Sequence, residues 1–61
     1  MKAYTKSSIR TMVTYWESVV MLMDDKLREQ VHAELAPCSE EDFAKRYCEL
    51  HFEKYGVPFV F

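Results

Sequence analysis

Four side chains in this sequence have the ligand atoms that protein zinc sites use: His32, Cys38, Cys48 and His51. A shared zinc ion needs each of these atoms within about 2.3 Å. Cys48 lies ten residues after Cys38, which along a helix is a separation of about 15 Å. A disulfide is excluded as well, because its Cα atoms must come within about 7 Å. We therefore expect two separate thiols and no metal site.

A cysteine nucleophile is the other chemistry that these residues could support. Cys38 lies just ahead of a predicted helix N-terminus, where thiols can be activated. A catalytic pair would also need His32 or His51 beside it, oriented by a third group. A helical chain of 61 residues is too small to enclose a substrate pocket of roughly 300 Å³. The sequence therefore predicts a protein that is not an enzyme, with no catalytic residue and no cofactor.

The segment around Cys38 has a clear structural interpretation as a corner between two helices. Pro37 ends the preceding helix, because proline disfavours helical dihedrals at the residue before it. Ser39 is a predicted N-cap, and Asp42 can reach back to it as in a capping box. Cys38 and Phe43 occupy the two positions of a hydrophobic staple. These signals predict a sharp turn into the last helix.

The corner raises the alternative of a helix-turn-helix-like DNA-binding regulator. In that arrangement the first turn of the last helix would contact bases, and it carries Glu40, Glu41 and Asp42. Carboxylates at this position repel phosphate, and only Lys45 and Arg46 provide positive charge nearby. The net charge of −2 also disfavours a protein that neutralises phosphates. We therefore expect this protein to bind another protein rather than a nucleic acid.

Hydrophobic periodicity predicts a small all-α domain of three helices that spans residues 1–61. The helices cover residues 8–21 or slightly beyond, 25–35 and 40–55, with Ser7 favoured as the first N-cap. Apolar residues make up 49% of the chain, enough for a compact core. The residues predicted to form that core are Ile9, Val13, Trp16, Val20, Leu27, Val31, Leu35, Phe43, Tyr47 and Leu50.

A long first helix followed by one shorter helix is the alternative architecture. Leu27 and Val31 continue the apolar stripe of the first helix, so an unbroken helix over residues 8–35 is compatible with the pattern. Such a helix would be about 42 Å long, and the remaining chain could not cover it. Because aspartate is a good N-cap and a poor interior residue, we favour a break at Asp24-Asp25.

The C-terminal segment is apolar and extended in the predicted fold. Gly56 is expected to end the last helix as a left-handed C-cap. The following residues, 57–61, include two valines and two phenylalanines. We expect this tail to fold back over the helices, to pair as a short strand with residues 2–4, or to meet another protein.

The apolar sector of the first helix is wider than a small core needs, so part of it is expected to remain exposed. We predict a protein partner or a homodimer, no membrane contact because no apolar run approaches the roughly 20 residues of a span, and a cytoplasmic location. The residues of the candidate interaction surface are Tyr15, Val19, Met21, Leu22, Phe59, Val60 and Phe61.

One segment resembles a known group of proteins. It reads Asp24-Asp25-x-x-Arg28-Glu29-x-Val31-His32-x-Glu34-Leu35-Ala36-Pro37-Cys38-Ser39-x-x-Asp42-Phe43. This pattern is similar to small uncharacterised proteins of gut bacteria and their phages or integrated elements. The resemblance brings no activity and no site residues. It implies a short protein that acts by binding host machinery, and inhibitors of bacterial immunity are one such class.

Overall fold

The computed structural model describes residues 2–61, which form four helices and no strand. The helices are α1 (Lys6–Thr14), α2 (Trp16–Leu22), α3 (Asp25–Leu35) and α4 (Glu40–Tyr55). The prediction of a small all-α domain is confirmed. The predicted first helix, however, is divided into α1 and α2.

The division lies at Tyr15, whose φ of −110° and ψ of 37° leave the helical region. Neither glycine nor proline causes it. The Thr11 and Thr14 hydroxyls instead donate to the carbonyl oxygens of Ser7 and Arg10 at 3.0 and 2.8 Å, and such bonds commonly bend helices. The helical hydrogen bonds of Tyr15 itself survive, so the chain turns without unfolding.

The buried residues of α1 and α2 lie to one side of the predicted apolar stripe, and this corrects one predicted surface residue. Val19, expected on the exposed flank, is only 2% exposed and belongs to the core. Val20, expected in the core, is half-buried. Ile9, Met12, Val19 and Met23 are buried, and their spacing of three, seven and four residues keeps them on one helix face across the break.

Three of the four helices, α1, α3 and α4, begin at a polar side chain that accepts a backbone hydrogen bond. Thr5 rather than Ser7 caps α1, with its hydroxyl accepting the N–H of Ser8 at 3.1 Å. Asp24 caps α3, which confirms the break at this position, so the unbroken helix over residues 8–35 does not form. Ser39 caps α4 as predicted and accepts the N–H of Asp42 at 3.1 Å.

Helix α4 is the centre of the fold, with α1 and α3 packed against it. Tyr47 of α4 is completely buried. Five predicted core residues are only half-buried: Val13, Trp16, Val20, Leu35 and Phe43. Five others that were not on the predicted list are buried instead: Met12, Val19, Met23, Ala44 and Cys48.

The C-terminal tail folds back onto α4, the first of the three predicted arrangements. Gly56 ends the helix with a left-handed φ of 72°, and its N–H donates to the Phe52 carbonyl oxygen at 2.8 Å. The Phe59 ring then packs 4.9 Å from the ring of Tyr47 and 5.3 Å from that of His51, measured between centroids. None of the helices within residues 2–61 combines the length and hydrophobicity needed to cross a membrane.

Candidate protein-interaction surface

The two cysteines lie in different environments. Cys48 is buried, and its thiol donates to the Met12 sulfur at 3.5 Å. Burial raises the pKa of the Cys48 thiol to about 11. Because the thiolate is the reactive form, Cys48 is unreactive at neutral pH in the folded protein. Cys38 is exposed at the corner before α4.

The two histidines also lie in different environments and do not share a metal site. The Nδ1 atom of His51 lies 3.0 Å from the carbonyl oxygen of Val57 and so ties α4 to the tail. His32 lies on the exposed side of α3. Within residues 2–61, no group of three or more histidine, cysteine, aspartate or glutamate side chains is placed to hold a metal ion.

Asp24 connects three elements at one end of the bundle. Its N–H donates to the Tyr47 hydroxyl at 2.8 Å, and its Oδ1 accepts the N–H of Leu27 at 3.1 Å. Its Oδ2 accepts the Tyr55 hydroxyl at 3.0 Å, with the Lys54 ammonium 3.7 Å away. The Leu27 N–H, and next the Tyr55 hydroxyl, lower the pKa of the Asp24 carboxyl. The turn between α2 and α3 is thereby fixed to the C-terminal half of α4.

Large apolar side chains are exposed on the elements that meet at Asp24. Met21 and Leu22, at the end of α2, are 84% and 60% exposed. In the tail, Val60 is 84% exposed and Phe61 is 40% exposed, with the Phe61 ring 5.6 Å from that of Phe59. With Tyr55 at the end of α4 and Val57 at the start of the tail, both exposed, these residues form what we call the apolar end: Met21, Leu22, Tyr55, Val57, Val60 and Phe61.

The other predicted surface residues have separate positions. Tyr15 is exposed at the break between α1 and α2 and lies seven residues before Leu22, a spacing that places both on one helix face. Phe59 is half-buried and anchors the tail on α4. Val19 is a core residue. The prediction did not include Tyr55 and Val57, although Val57 directly follows the Gly56 cap, where the chain must leave the helix.

A groove opens on another side of the bundle, between α2, α3 and the start of α4. It has a volume of about 480 Å³ and an apolar floor of Trp16, Val20 and Phe43. The Trp16 and Phe43 rings meet edge to face, with centroids 5.7 Å apart. His32 and Cys38 lie on its rim. An open groove of this kind can accept a side chain from another protein.

The family model of the anti-CRISPR protein AcrIC5 matches residues 11–59. The match covers about four fifths of the chain and includes the break at Tyr15, the Asp24 junction and most of the tail. The chain belongs to the AcrIC5 family. No match was found among curated proteins, and none among solved structures.

Membership of the AcrIC5 family supports the mobile-element part of the resemblance and does not bear on gut bacteria. Anti-CRISPR proteins are small inhibitors of host defence that phages and mobile elements encode, and they are generally non-enzymatic. They bind Cas proteins or complexes of them. A protein is therefore the kind of partner that fits this AcrIC5 family member.

Proposed function

We propose that this protein blocks CRISPR-based defence in the cytoplasm of a bacterial host by binding a Cas protein through its apolar end. Inhibition requires no reaction and no cofactor, because occupying a surface of the Cas protein is sufficient to exclude its normal ligand. The family match over residues 11–59 is the observation that carries the proposal.

The composition of the apolar end supports this role. Aromatic residues and methionine are enriched at protein interfaces, while lysine, glutamate and aspartate are depleted from their centres. The apolar end has Met21, Leu22, Tyr55 and Phe61 as large contact residues. The exposed apolar side chains of the apolar end lie on elements that Asp24 and Phe59 join to α4, and exposed apolar groups on joined elements are typical of interaction sites.

The Asp24 junction supports the proposal through rigidity. Hydrogen bonds from Tyr55 and to Tyr47 hold the α2–α3 turn against α4, and Phe59 holds the tail on the same helix. A surface that is already ordered loses little conformational entropy on binding. Met21 and Leu22 are thus presented on a fixed backbone, and only the last residues of the tail need to adapt to a partner.

The proposal is tested by phage plating on a bacterium with an active CRISPR system that expresses the protein. The wild type should restore plaque formation. The Leu22→Glu/Val60→Glu variant should lose this effect, because two charges would enter an apolar interface. Ala33→Glu is the matched control, since Ala33 is an exposed helical position outside the apolar end, and it should act like the wild type. Equal protection by all three proteins would exclude the apolar end as the binding surface.

Sedimentation at micromolar concentration tests whether a second copy covers the same surface. We expect a wild-type monomer. If the wild type is a dimer that Leu22→Glu/Val60→Glu converts into a folded monomer, the apolar end is a seam between copies. The proposed contact with a Cas protein would then be wrong.

A further inference from the structure

The charges of this chain are distributed unevenly along it. Residues 1–16 contain Lys2, Lys6 and Arg10 and no acidic residue. All ten acidic residues follow, together with the other five of the eight basic residues. The overall charge of −2 therefore conceals a basic first helix on an otherwise acidic protein. All three of these cations precede residues 11–59, the part of the chain that the family model matches.

The three cations at the N-terminal end of the chain also lack partners. Elsewhere, most basic side chains form ion pairs with carboxylates: Arg28 with Asp25, Lys45 with Glu41, Arg46 with Glu34, and Lys54 with Asp24. Within residues 2–61, no carboxylate lies at ion-pair distance from Lys2, Lys6 or Arg10. All three side chains are exposed, so their charge is available to another molecule.

The position of Lys6 is electrostatically unfavourable for the helix itself. It is the first residue of α1, and the first turn of α1 contains no acidic residue. The first turns of the other helices contain Glu17, Asp25 and the run 40–42. Because the N-terminal end of a helix dipole is positive, a lysine there destabilises the helix. An unfavourable residue such as this lysine, which no other contact within the fold compensates, is expected at functional sites.

A groove lies directly beside these cations, between α1 and the start of α4. Its volume is about 390 Å³, and Lys6 and Arg10 line it together with Tyr4, Ile9 and Val13. On the opposite wall Lys45 is paired with Glu41 at 3.1 Å, so that wall has little net charge. The groove thus has an apolar floor and two free cations at its edge.

We infer that this groove, the basic groove, docks an acidic protein segment that inserts an apolar side chain between Lys6 and Arg10. The inference rests on the proposed function, in which the segment belongs to the Cas assembly that the protein binds. Charge complementarity identifies the occupant as acidic, and the apolar floor favours a protein segment over a nucleic acid. A duplex would need many more phosphate contacts than three cations provide.

A charge-reversal pair with a matched control tests the inference. Lys6→Glu/Arg10→Glu places carboxylates on the basic groove. Lys26→Glu is the control, because Lys26 is exposed, has no ion pair within residues 2–61, and also lies in a helix first turn. Both Lys6→Glu and Lys26→Glu should keep or slightly raise the melting temperature, since each complements a helix dipole. The melting temperature of Lys6→Glu/Arg10→Glu is measured as well, so that a loss of binding by the folded double variant cannot result from unfolding.

The probe is a fluorescein-labelled peptide that alternates Glu and Asp with Leu and Phe, measured by fluorescence anisotropy at low salt. The wild type and Lys26→Glu should bind it, and Lys6→Glu/Arg10→Glu should bind at least about tenfold more weakly. The Gln/Asn version of the peptide and a short DNA duplex should bind far less. Equal binding by all three proteins, or stronger binding of the duplex, would overturn the inference.

The same variants separate this inference from the proposed function. If the wild type protects phage and copurifies with a Cas protein, but Lys6→Glu/Arg10→Glu does so equally well, the basic groove is not used and the proposed function stands. If the wild type neither protects phage nor binds a Cas protein, the proposed function fails, whatever the peptide does. If only Lys6→Glu/Arg10→Glu loses both phage protection and copurification with a Cas protein, the result supports a role of the basic groove in binding.

Discussion

The backbone N–H of Asp24 donates a 2.8 Å hydrogen bond to the hydroxyl of Tyr47, a residue that is fully buried at the centre of α4. This bond joins the turn between α2 and α3 to the core. It also satisfies the single polar group of the Tyr47 side chain. The position of Met21 and Leu22 therefore depends on a core residue that lies more than twenty residues away in the sequence.

We expect Tyr47→Phe to destabilise the fold by about 1–3 kcal/mol, because it leaves the Asp24 N–H without its acceptor. Tyr55→Phe, which removes the exposed bond to the Asp24 carboxylate, should cost less, about 1 kcal/mol or under. Urea denaturation of both variants and the wild type measures the difference. An equal loss in the two variants would show that burial of Tyr47 adds nothing to this bond.

Two adjacent valines differ in burial, and this difference predicts different costs of truncating them. Val19→Ala should destabilise the fold by about 2 kcal/mol, because it removes buried methyl groups and leaves a cavity. Val20→Ala should cost about 1 kcal/mol or less, since Val20 is half-buried. The two variants differ only in which neighbour is truncated, so denaturation curves compare them directly. A larger loss for Val20→Ala would show that Val20 belongs to the core in place of Val19, as the sequence pattern predicted.

Asp24 should make the stability of the protein depend on pH in the acid range. The Leu27 N–H and the Tyr55 hydroxyl lower the pKa of its carboxyl below the ordinary value of 3.8. A carboxyl with a lowered pKa stabilises the folded state above the ordinary value, and this contribution is lost as the pH falls through the lowered one. The melting temperature of the wild type should therefore fall as the pH drops below about 4.

Asp24→Asn provides the control for this titration. Asparagine can still cap α3, but it does not ionise, so the variant should lose less stability over the same pH range. Glu34 remains as a second carboxyl whose pKa is lowered, first by the Gln30 amide and then by Arg46. Some acid dependence should therefore persist in Asp24→Asn. Identical curves for the variant and the wild type would contradict the role assigned to Asp24.

The two thiols should react at very different rates. Cys38 is exposed, whereas Cys48 is buried with its pKa raised to about 11 by desolvation. A thiol reagent at neutral pH should label one cysteine quickly and the second only as the protein unfolds. Cys38→Ser should remove the fast phase and leave the slow one. Rapid labelling of both cysteines in the folded protein would show that Cys48 is not part of the core.

Local chemistry made three features of the fold predictable from the sequence. Asp24, Ser39 and Gly56 each occupy a cap position for which their side chain or backbone freedom is suited, and the structure uses each of them there. The break at Tyr15 was not predictable in this way. It depends on two threonine hydroxyls bonding back to the preceding turn, and threonine is common in unbroken helices.

The candidate surface could be predicted only in part, because exposure is decided by packing. Met21, Leu22, Val60 and Phe61 were on the predicted surface and are exposed. The sequence pattern alone could not distinguish Val19 from them, because Val19 lies at the edge of the apolar sector and packing decides which residues at that edge are buried. The charge asymmetry of the first helix is readable from the sequence. That Lys6 and Arg10 lack ion pairs depends on where the carboxylates of α4 lie.

Binding of the purified protein to a purified Cas complex tests the central claim most directly. The complex should come from a CRISPR system that the protein blocks in phage plating. We predict that the wild type and Ala33→Glu bind it with equal affinity, and that Leu22→Glu/Val60→Glu binds at least about tenfold more weakly while remaining folded. Inhibition by a protein that binds no Cas component, or equal affinity for all three proteins, would contradict the claim.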